Sequence, residues 1–472
     1  MGRSRKPFPL LRNLMVTDIG AGGKAIARDE NRIVFISHAV PGDVVDVQIR
    51  KKRKNYLEGD PVKFTKRSNL RAEPFCEHFG VCGGCKWQDM TYPEQLHFKQ
   101  KQVTDQLSRI AGLGDQVKEK ITPILPSPQN THYRNKLEFT FSSKRWLTRE
   151  EIATAETITE PALGFHAPGL FDKVVDINSC HLQSEPSNAI RNFIRQFATE
   201  YQYPFYDIRN QKGLLRNLII RTATTGEVMV VIAFFRNEAE KITKLMEGIR
   251  DAFPEITSLQ FVINPKGNDT LEGLDVQTFS GRDHIIEKMD DLRFKIGPKS
   301  FFQTNTRQAE NLYRVVAEFA DISDDQNLYD LYSGTGTIAL YLARKARYIT
   351  GIETVSEAVA DAVKNTELNG ITNVSFITGD VKSLFNDKLF AKHGNPDTVI
   401  LDPPRAGIHG DILSALLACT PGKIVYVSCN PSTQARDLVP LLEKYRVEKI
   451  QPVDMFPHTH HVENVVLLVR DI

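Results

Sequence analysis

The pattern of apolar and polar residues changes character along the chain. From Val16 to about Phe64, short β-rich runs (Arg32-Ile-Val-Phe-Ile36, Asp43-Val-Val-Asp-Val-Gln-Ile49) alternate with glycine turns at Gly20 to Gly23 and Pro41-Gly42. That alternation predicts a small antiparallel barrel of OB type. Leu96, Val103, Leu107 and Ile110 then recur at helical spacing behind Thr91-Tyr-Pro-Glu94, which predicts a core-packing helix opened by a capping box. Pro123, Pro126 and Pro128 break this pattern. The following text is β-rich (Lys136 to Phe141, Leu163 to His166, Leu215 to Arg221, Val228 to Phe235, Leu259 to Asn264), with helical stretches at Pro186 to Tyr201 and Asn237 to Ala252. An α+β middle domain is the expectation.

The last third has a third texture. Apolar runs end in Tyr329-Asp-Leu-Tyr-Ser-Gly-Thr-Gly336, Ile352-Glu353, Leu401-Asp-Pro-Pro-Arg405 and Val427-Ser-Cys-Asn-Pro431, alternating with helical pattern. This predicts an α/β, Rossmann-like domain. In such open sheets the carboxyl ends of the strands converge on the ligand. The expected division is a barrel over 1–67, a central α+β domain over 68–290 and the Rossmann-like domain over 291–472.

A length of 472 residues exceeds what one core supports and fits two to four domains. The net charge of +2 is unevenly spread, for residues 1–72 hold 16 Lys and Arg against 7 Asp and Glu. Arg50-Lys-Lys-Arg-Lys54 falls at a strand end or hairpin tip, where cations reach phosphates, so the barrel reads as a polyanion-binding arm. No apolar run approaches the roughly 18 residues of a membrane span and no signal-type segment follows the basic start, so a cytoplasmic protein is expected. Six cysteines in a chain of this size predict metal binding or catalysis rather than a disulfide scaffold.

Several residues carry candidate chemistry. Gly334-Thr-Gly336 turns a strand into a helix where backbone approaches a nucleoside cofactor. Glu353, about 20 residues on, is placed to accept from ribose hydroxyls. Asp380, the last residue of the strand Val374 to Asp380, is placed to meet an adenine amino group. Phe302-Gln303-Thr-Asn305 suggests a pocket wall with an amide to orient a base. Asp402 and Cys429 end successive strands, which puts the thiol where a nucleophile belongs. Glu463 heads a terminal strand as a candidate proton acceptor, and His458, His460 and His461 read as loop residues. Tyr133-Arg-Asn-Lys136 fits either an RNA contact or a solvated strand start. Cys76, Cys82 and Cys85 lie within ten residues around a glycine pair, with Cys180 as the fourth thiol. Zinc and a cubane iron-sulfur cluster suit four such ligands equally.

Taken together, the barrel, the four cysteines, Phe302-Gln303-Thr-Asn, Gly334-x-Gly336, Asp402-Pro-Pro-Arg, Ser428-Cys429-Asn-Pro and His461-Val-Glu463-Asn closely resemble the RNA uracil-5 methyltransferases of the TrmA and RumA type, and the barrel resembles a TRAM domain. The resemblance implies an S-adenosyl-L-methionine site at Gln303, Tyr332, Gly334, Glu353, Asp380 and Asp402. It implies a [4Fe-4S] cluster on the four cysteines, a nucleophilic Cys429 and a basic Glu463. It also implies an RNA partner, with 23S rRNA favoured and the tRNA T-loop as the alternative, no membrane and no obligate protein partner. Ser333 and Thr337 stand where many members carry cysteine and asparagine. A dehydrogenase using the Gly334 turn gives no reason for Cys429 and Glu463; a non-catalytic RNA-binding iron-sulfur protein is the reading from another class.

Overall fold

The computed structural model describes residues 8–20, 22–154 and 160–471. The first seven residues of the basic segment, and Ala21 of the first glycine turn, lie outside the described residues.

Five strands, β1 (Leu10–Ile19), β2 (Ala25–Asp29), β3 (Arg32–Ile36), β4 (Val44–Lys52) and β5 (Tyr56–Lys66), close into a barrel in the order β1-β2-β3-β5-β4. Alternate residues point inward, among them Val16, Ala27, Val34, Ile36, Val45, Val47 and Leu57. Gly59 lets β5 cross β4, since a Cβ there would lie 2.6 Å from Val47 and 2.7 Å from the Gln48 carbonyl. The basic run occupies the β4–β5 hairpin tip. Lys52, Arg53 and Lys54 are exposed there and have no ion-pair partner among the described residues.

The central sheet comprises β6 (Lys136–Ser142), β7 (Ala162–His166), β8 (Val174–Asp176), β9 (Leu215–Thr222), β10 (Val228–Phe234), β11 (Ser258–Ile263) and β12 (Val276–Gly281), in the order β12-β11-β10-β9-β6-β7-β8. β10 explains its own unbroken apolar sequence. Val228, Val230, Ile232 and Phe234 pack toward helices Ser187–Glu200 and Ala239–Ala252, whereas Met229, Val231 and Ala233 share a core with the C-terminal domain. A strand buried on both faces has no polar alternation to show.

A hairpin, β13 (Ile285–Met289) and β14 (Leu292–Ile296), leads to the last sheet: β15 (Asn327–Leu331), β16 (Tyr348–Glu353), β17 (Val374–Thr378), β18 (Thr398–Leu401), β19 (Lys423–Ser428), β20 (Tyr445–Val453) and β21 (Glu463–Arg470). Its order is β17-β16-β15-β18-β19-β21-β20; the first five strands are parallel and β21 runs antiparallel to both neighbours. This is the expected α/β, Rossmann-like architecture.

Three local expectations are corrected. Helix Tyr92–Arg109 has no side-chain cap at Thr91; Pro93 in its first turn sets the start instead, its fixed φ being helical already. Its inner face carries Gln95, Phe98, Lys99, Val103 and Leu107, while Ile110 is exposed. Val103, Leu107 and Val117 share their core with Tyr329, Leu416 and Val466, so this segment packs on the C-terminal sheet although its sequence position lies in the central region. Among the described residues no helix is long and apolar enough to cross a membrane.

Candidate active site

The C-terminal ends of β15, β16, β18 and β19, with the head of β21, open on one cavity of about 1030 Å³. Antiparallel insertion of β21 beside β19 brings Glu463, at its first residue, level with the end of the strand that delivers Cys429, since Ser428 pairs with Asn464. Gln303, Tyr332, Gly334, Glu353, Asp402, Cys429 and Glu463 all line this cavity. Asp380 does not: it is exposed, and its carboxylate accepts from the Lys382 N–H (3.0 Å) at the start of a four-residue helix.

The glycine turn is locked by its surroundings. Gly336 has φ 78°, and a Cβ there would meet the Phe376 ring at 2.5 Å. Glu353 braces the turn, Oε2 accepting from the Gly334 N–H (2.9 Å) and Oε1 from the Val355 N–H (2.9 Å). Thr337 shares a hydrogen bond with the Tyr313 hydroxyl (3.0 Å), and the buried Ser333 hydroxyl has no partner among the described residues. In the Phe302-Gln303-Thr-Asn305 stretch, Phe302 is core and Phe301, two-thirds exposed (67%), is the ring offered to the cavity. Asn305 is not free to orient a base, because Oδ1 caps helix Thr306–Ala320 and Nδ2 donates to the Met455 carbonyl (3.0 Å). Tyr133 and Asn135 are likewise structural. The Tyr133 hydroxyl donates to the Pro457 carbonyl (3.1 Å), and Asn135 Nδ2 donates to the Gln303 carbonyl (2.8 Å) and to Thr306 Oγ1 (2.8 Å).

Two acids of the cavity, Asp402 and Glu463, are raised above the ordinary carboxylate range. Burial pushes Asp402 up to about 7, and burial with repulsion from Asp402 pushes Glu463 up to about 8 against the pull of Arg405. Burial raises the Cys429 thiol to about 11, helped by Glu463 and Asp402 and opposed by Arg405. Glu463 is only 6% exposed, which excludes the reading of a solvated acid. Three further lining residues had no role assigned from sequence: Asp330, Arg405 and Phe456. Neither Asp330 oxygen has a hydrogen-bond partner among the described residues, and burial then Asp402 push its pKa well up. Arg405 donates to His461 Nδ1 (2.7 Å), and burial keeps that ring neutral with a pKa of about 4. Only the loop between β20 and β21 brings Phe456 here, so no sequence motif signals it.

A second cavity of about 360 Å³ is lined by Cys76, Cys82, Cys85 and Cys180. Gly83 permits its closure, because a Cβ there would lie 2.9 Å from the His166 carbonyl. Gln88 Oε1 accepts from the Cys76 N–H (3.2 Å), Asn188 Oδ1 from the Cys180 N–H (2.8 Å), and His78 Nε2 from the Asn178 N–H (3.0 Å), which draws the two cysteine segments together. Burial raises Cys82 to about 11 and Cys85 to about 12. Among the described residues no group of three or more His, Cys, Asp and Glu is arranged to hold a metal ion. Cys419 lies apart in helix Gly410–Cys419. Lys136 and Glu138, on β6, line both cavities and form the wall between them.

The tRNA (uracil-5-)-methyltransferase family model matches residues 208–471, and the TRAM domain model matches residues 12–62. An uncharacterized RNA methyltransferase of Bacteroides thetaiotaomicron is 53% identical over 95% of this chain and 99% of its own length. One from Porphyromonas gingivalis is 51% identical over 97% and 99%. Among solved structures, the Pyrococcus abyssi tRNA (uracil-54, C5)-methyltransferase in complex with S-adenosyl-L-homocysteine is similar with a TM-score of 0.75. It is 29% identical, covering 97% of this chain and 100% of that one.

Proposed function

For a chain that belongs to the RNA (uracil-5-)-methyltransferase family, we propose transfer of a methyl group from S-adenosyl-L-methionine to C5 of a uridine in structured RNA, through a covalent bond between Cys429 and C6. The observation that carries this reading is the meeting of Cys429 and Glu463, from neighbouring antiparallel strands, in the cavity that also holds the glycine turn and Asp402. Family membership leaves the dehydrogenase reading of the Gly334 turn without support.

C5 of uracil is a weak nucleophile. Addition of the Cys429 sulfur to C6 makes C5 enolate-like, and the C5 electron pair then attacks the methyl carbon, releasing S-adenosyl-L-homocysteine. The resting thiol is protonated, so its proton passes to a carboxylate as the C–S bond forms; Asp402, with a pKa of about 7, is partly ionised for that task. Glu463 then takes the C5 proton. The C–H electrons form the C5–C6 double bond, and the thiolate leaves. A pKa of about 8 makes the ionised Glu463 a stronger base than an ordinary carboxylate, and it sheds the proton to water as the pH rises through that value. Gln303, Tyr332, Gly334 and Glu353 are assigned to the methyl donor. An embedded uridine must first leave its stack, and the exposed rings and barrel cations suit that substrate.

The four cysteines are assigned to a [4Fe-4S] cluster. A single zinc ion at about 2.3 Å from each sulfur would draw four thiolates into close mutual contact. A cubane takes one thiolate per iron, and the resemblance to the family is what assigns it to the four cysteines that line this cavity. The cluster supplies no step here. Iron-dependent visible absorbance in anaerobically purified protein checks the assignment, and zinc without iron refutes it.

Large-subunit 23S rRNA is the proposed target, on the family likeness that joins the barrel to the cysteine set. The tRNA substrate of the Pyrococcus abyssi enzyme makes the T-loop the second reading. Labelled methyl transfer to 23S rRNA and to tRNA from a strain lacking the gene decides between them. Incorporation into neither would favour a non-catalytic binding protein.

A further inference from the structure

The loop that joins β20 to β21 carries Phe456 and leads into Glu463, yet it is held largely from the cysteine side of the molecule. The Lys86 and Trp87 N–H groups, directly after Cys85, both donate to the His458 carbonyl (2.8 and 3.1 Å). Gln95 closes the joint. Its Nε2 donates to the Trp87 and Met90 carbonyls (both 2.9 Å) and lies 3.2 Å from His458 Nδ1, while its Oε1 accepts from the His458 N–H (2.8 Å). One helical turn on, Lys99 Nζ donates to Asp454 Oδ1 (2.5 Å) and to the Phe456 carbonyl (3.0 Å). The Tyr92 hydroxyl donates to the other Asp454 oxygen (2.8 Å), and Phe75, directly before Cys76, meets the His458 ring edge-on with centroids 5.1 Å apart.

Gln95 and Lys99 have no exposed surface, although the remaining buried positions of their helix are apolar. Burying an amide and an ammonium is costly unless each polar atom is used; here the Gln95 amide ties Trp87 and Met90 to His458, and the Lys99 ammonium is spent on Asp454 and Phe456 of the loop. Cys429 is fixed by other means. β19 delivers it, Asn430 Oδ1 accepts from the Ser432 N–H (3.2 Å) at the start of helix Pro431–Leu441, and Asn430 Nδ2 donates to the Arg405 carbonyl (3.1 Å). The contacts named for Cys429 include neither Gln95 nor Lys99, and base and nucleophile are linked through the Ser428–Asn464 pairing and Arg405, which bonds His461 as well as Asn430.

We propose that Gln95 and Lys99 are positioning residues through which the cysteine loop holds Phe456 and Glu463 in the reaction cavity. Disturbing them impairs proton removal and spares thiol addition. This rests on the roles given above to Cys429 and Glu463, and it gives the cysteine site a mechanical task in the reaction: its loop anchors the catalytic base.

The test uses full-length Gln95→Leu, which removes every side-chain hydrogen bond of that residue at nearly constant volume, with substrate RNA and S-adenosyl-L-methionine. Turnover should fall about 10- to 100-fold, a range typical of a mispositioned catalytic group. The ratio of covalent protein–RNA complex on denaturing gels to methylated product should rise at least about tenfold, and affinity for S-adenosyl-L-homocysteine should stay within about twofold. A merely structural role would lower thermal stability and leave that ratio unchanged. The paired variant Lys99→Met with Asp454→Asn, which keeps the buried charge balanced, provides the same reading should Gln95→Leu not fold. Parallel loss of adduct and turnover, or full turnover in either variant, overturns the proposal. If 5-fluorouridine RNA forms no adduct even with wild type, the roles of Cys429 and Glu463 fall, and the positioning proposal falls with them.

Discussion

Thiols sit in both cavities, and burial raises them in both, yet their company differs. Four cysteines line the smaller cavity, and burial raises Cys82 and Cys85 to about 11 and 12. In the larger, one sulfur faces two carboxylates and a guanidinium. Desolvation alone disfavours every thiolate, so what separates a ligand from a nucleophile is the proton traffic around it. In the proposed mechanism, Asp402 and Glu463 supply that traffic to Cys429.

Removing the lone thiol gives the largest effect. Cys429→Ala should lower turnover by at least about 10⁴-fold and abolish the adduct with 5-fluorouridine RNA, as expected where covalent catalysis carries the reaction. An adduct that persists in that variant would transfer the nucleophile's role elsewhere.

Glu463→Gln should separate the two halves of the reaction. Turnover falls by about 10²- to 10³-fold, the range of a lost general base, while a covalent complex with ordinary RNA accumulates. The same substitution should stabilise the fold. A carboxyl raised to about 8 binds more protons folded than unfolded between its ordinary pKa and that value, so its contribution to stability falls as pH rises through this window. An amide carries no such penalty. Denaturant unfolding at pH 8 should show Glu463→Gln more stable by on the order of 2 to 3 kcal/mol, with the advantage vanishing near pH 4.

The pH dependence of turnover is a smaller effect with a definite sign. Glu463 must be ionised to accept the C5 proton, so the elimination rate should rise about tenfold from pH 7 to pH 9 and level off above its pKa of about 8. Glu463→Gln should flatten that limb. A limb that survives the substitution would point to another titrating group, with Asp402 next in line at about 7.

Much of this was readable before the structure, for identifiable reasons. The barrel shows period-two alternation because each strand has one wet face, and the last domain shows strand ends because its motifs break apolar runs at Glu353, Asp402 and Cys429. What stayed hidden depends on contacts between distant segments. Gln95 and Lys99 resemble solvated positions of an amphipathic helix until the β20–β21 loop closes over them. Asn305 resembles a base-orienting amide until its two ends are found capping a helix and holding Met455. Asp380 reads as the end of a strand, but β17 stops at Thr378 and the short helix that follows takes up the Asp380 carboxylate as its cap.

The barrel tip offers the mildest way to test which cavity the RNA reaches first. Lys52, Arg53 and Lys54 are exposed without ion-pair partners among the described residues, whereas Lys51 pairs with Glu58 at 3.1 Å, a carboxylate it shares with Lys24. Replacing the three free cations by alanine should weaken RNA binding about three- to tenfold at moderate salt and reduce the slope of log affinity against log salt by roughly two to three. Turnover at saturating RNA should be unchanged, because none of the three lines either cavity. A fall in that saturated rate would instead mean that the tip helps to extract the uridine from its stack, which couples the barrel to the chemistry rather than to capture alone.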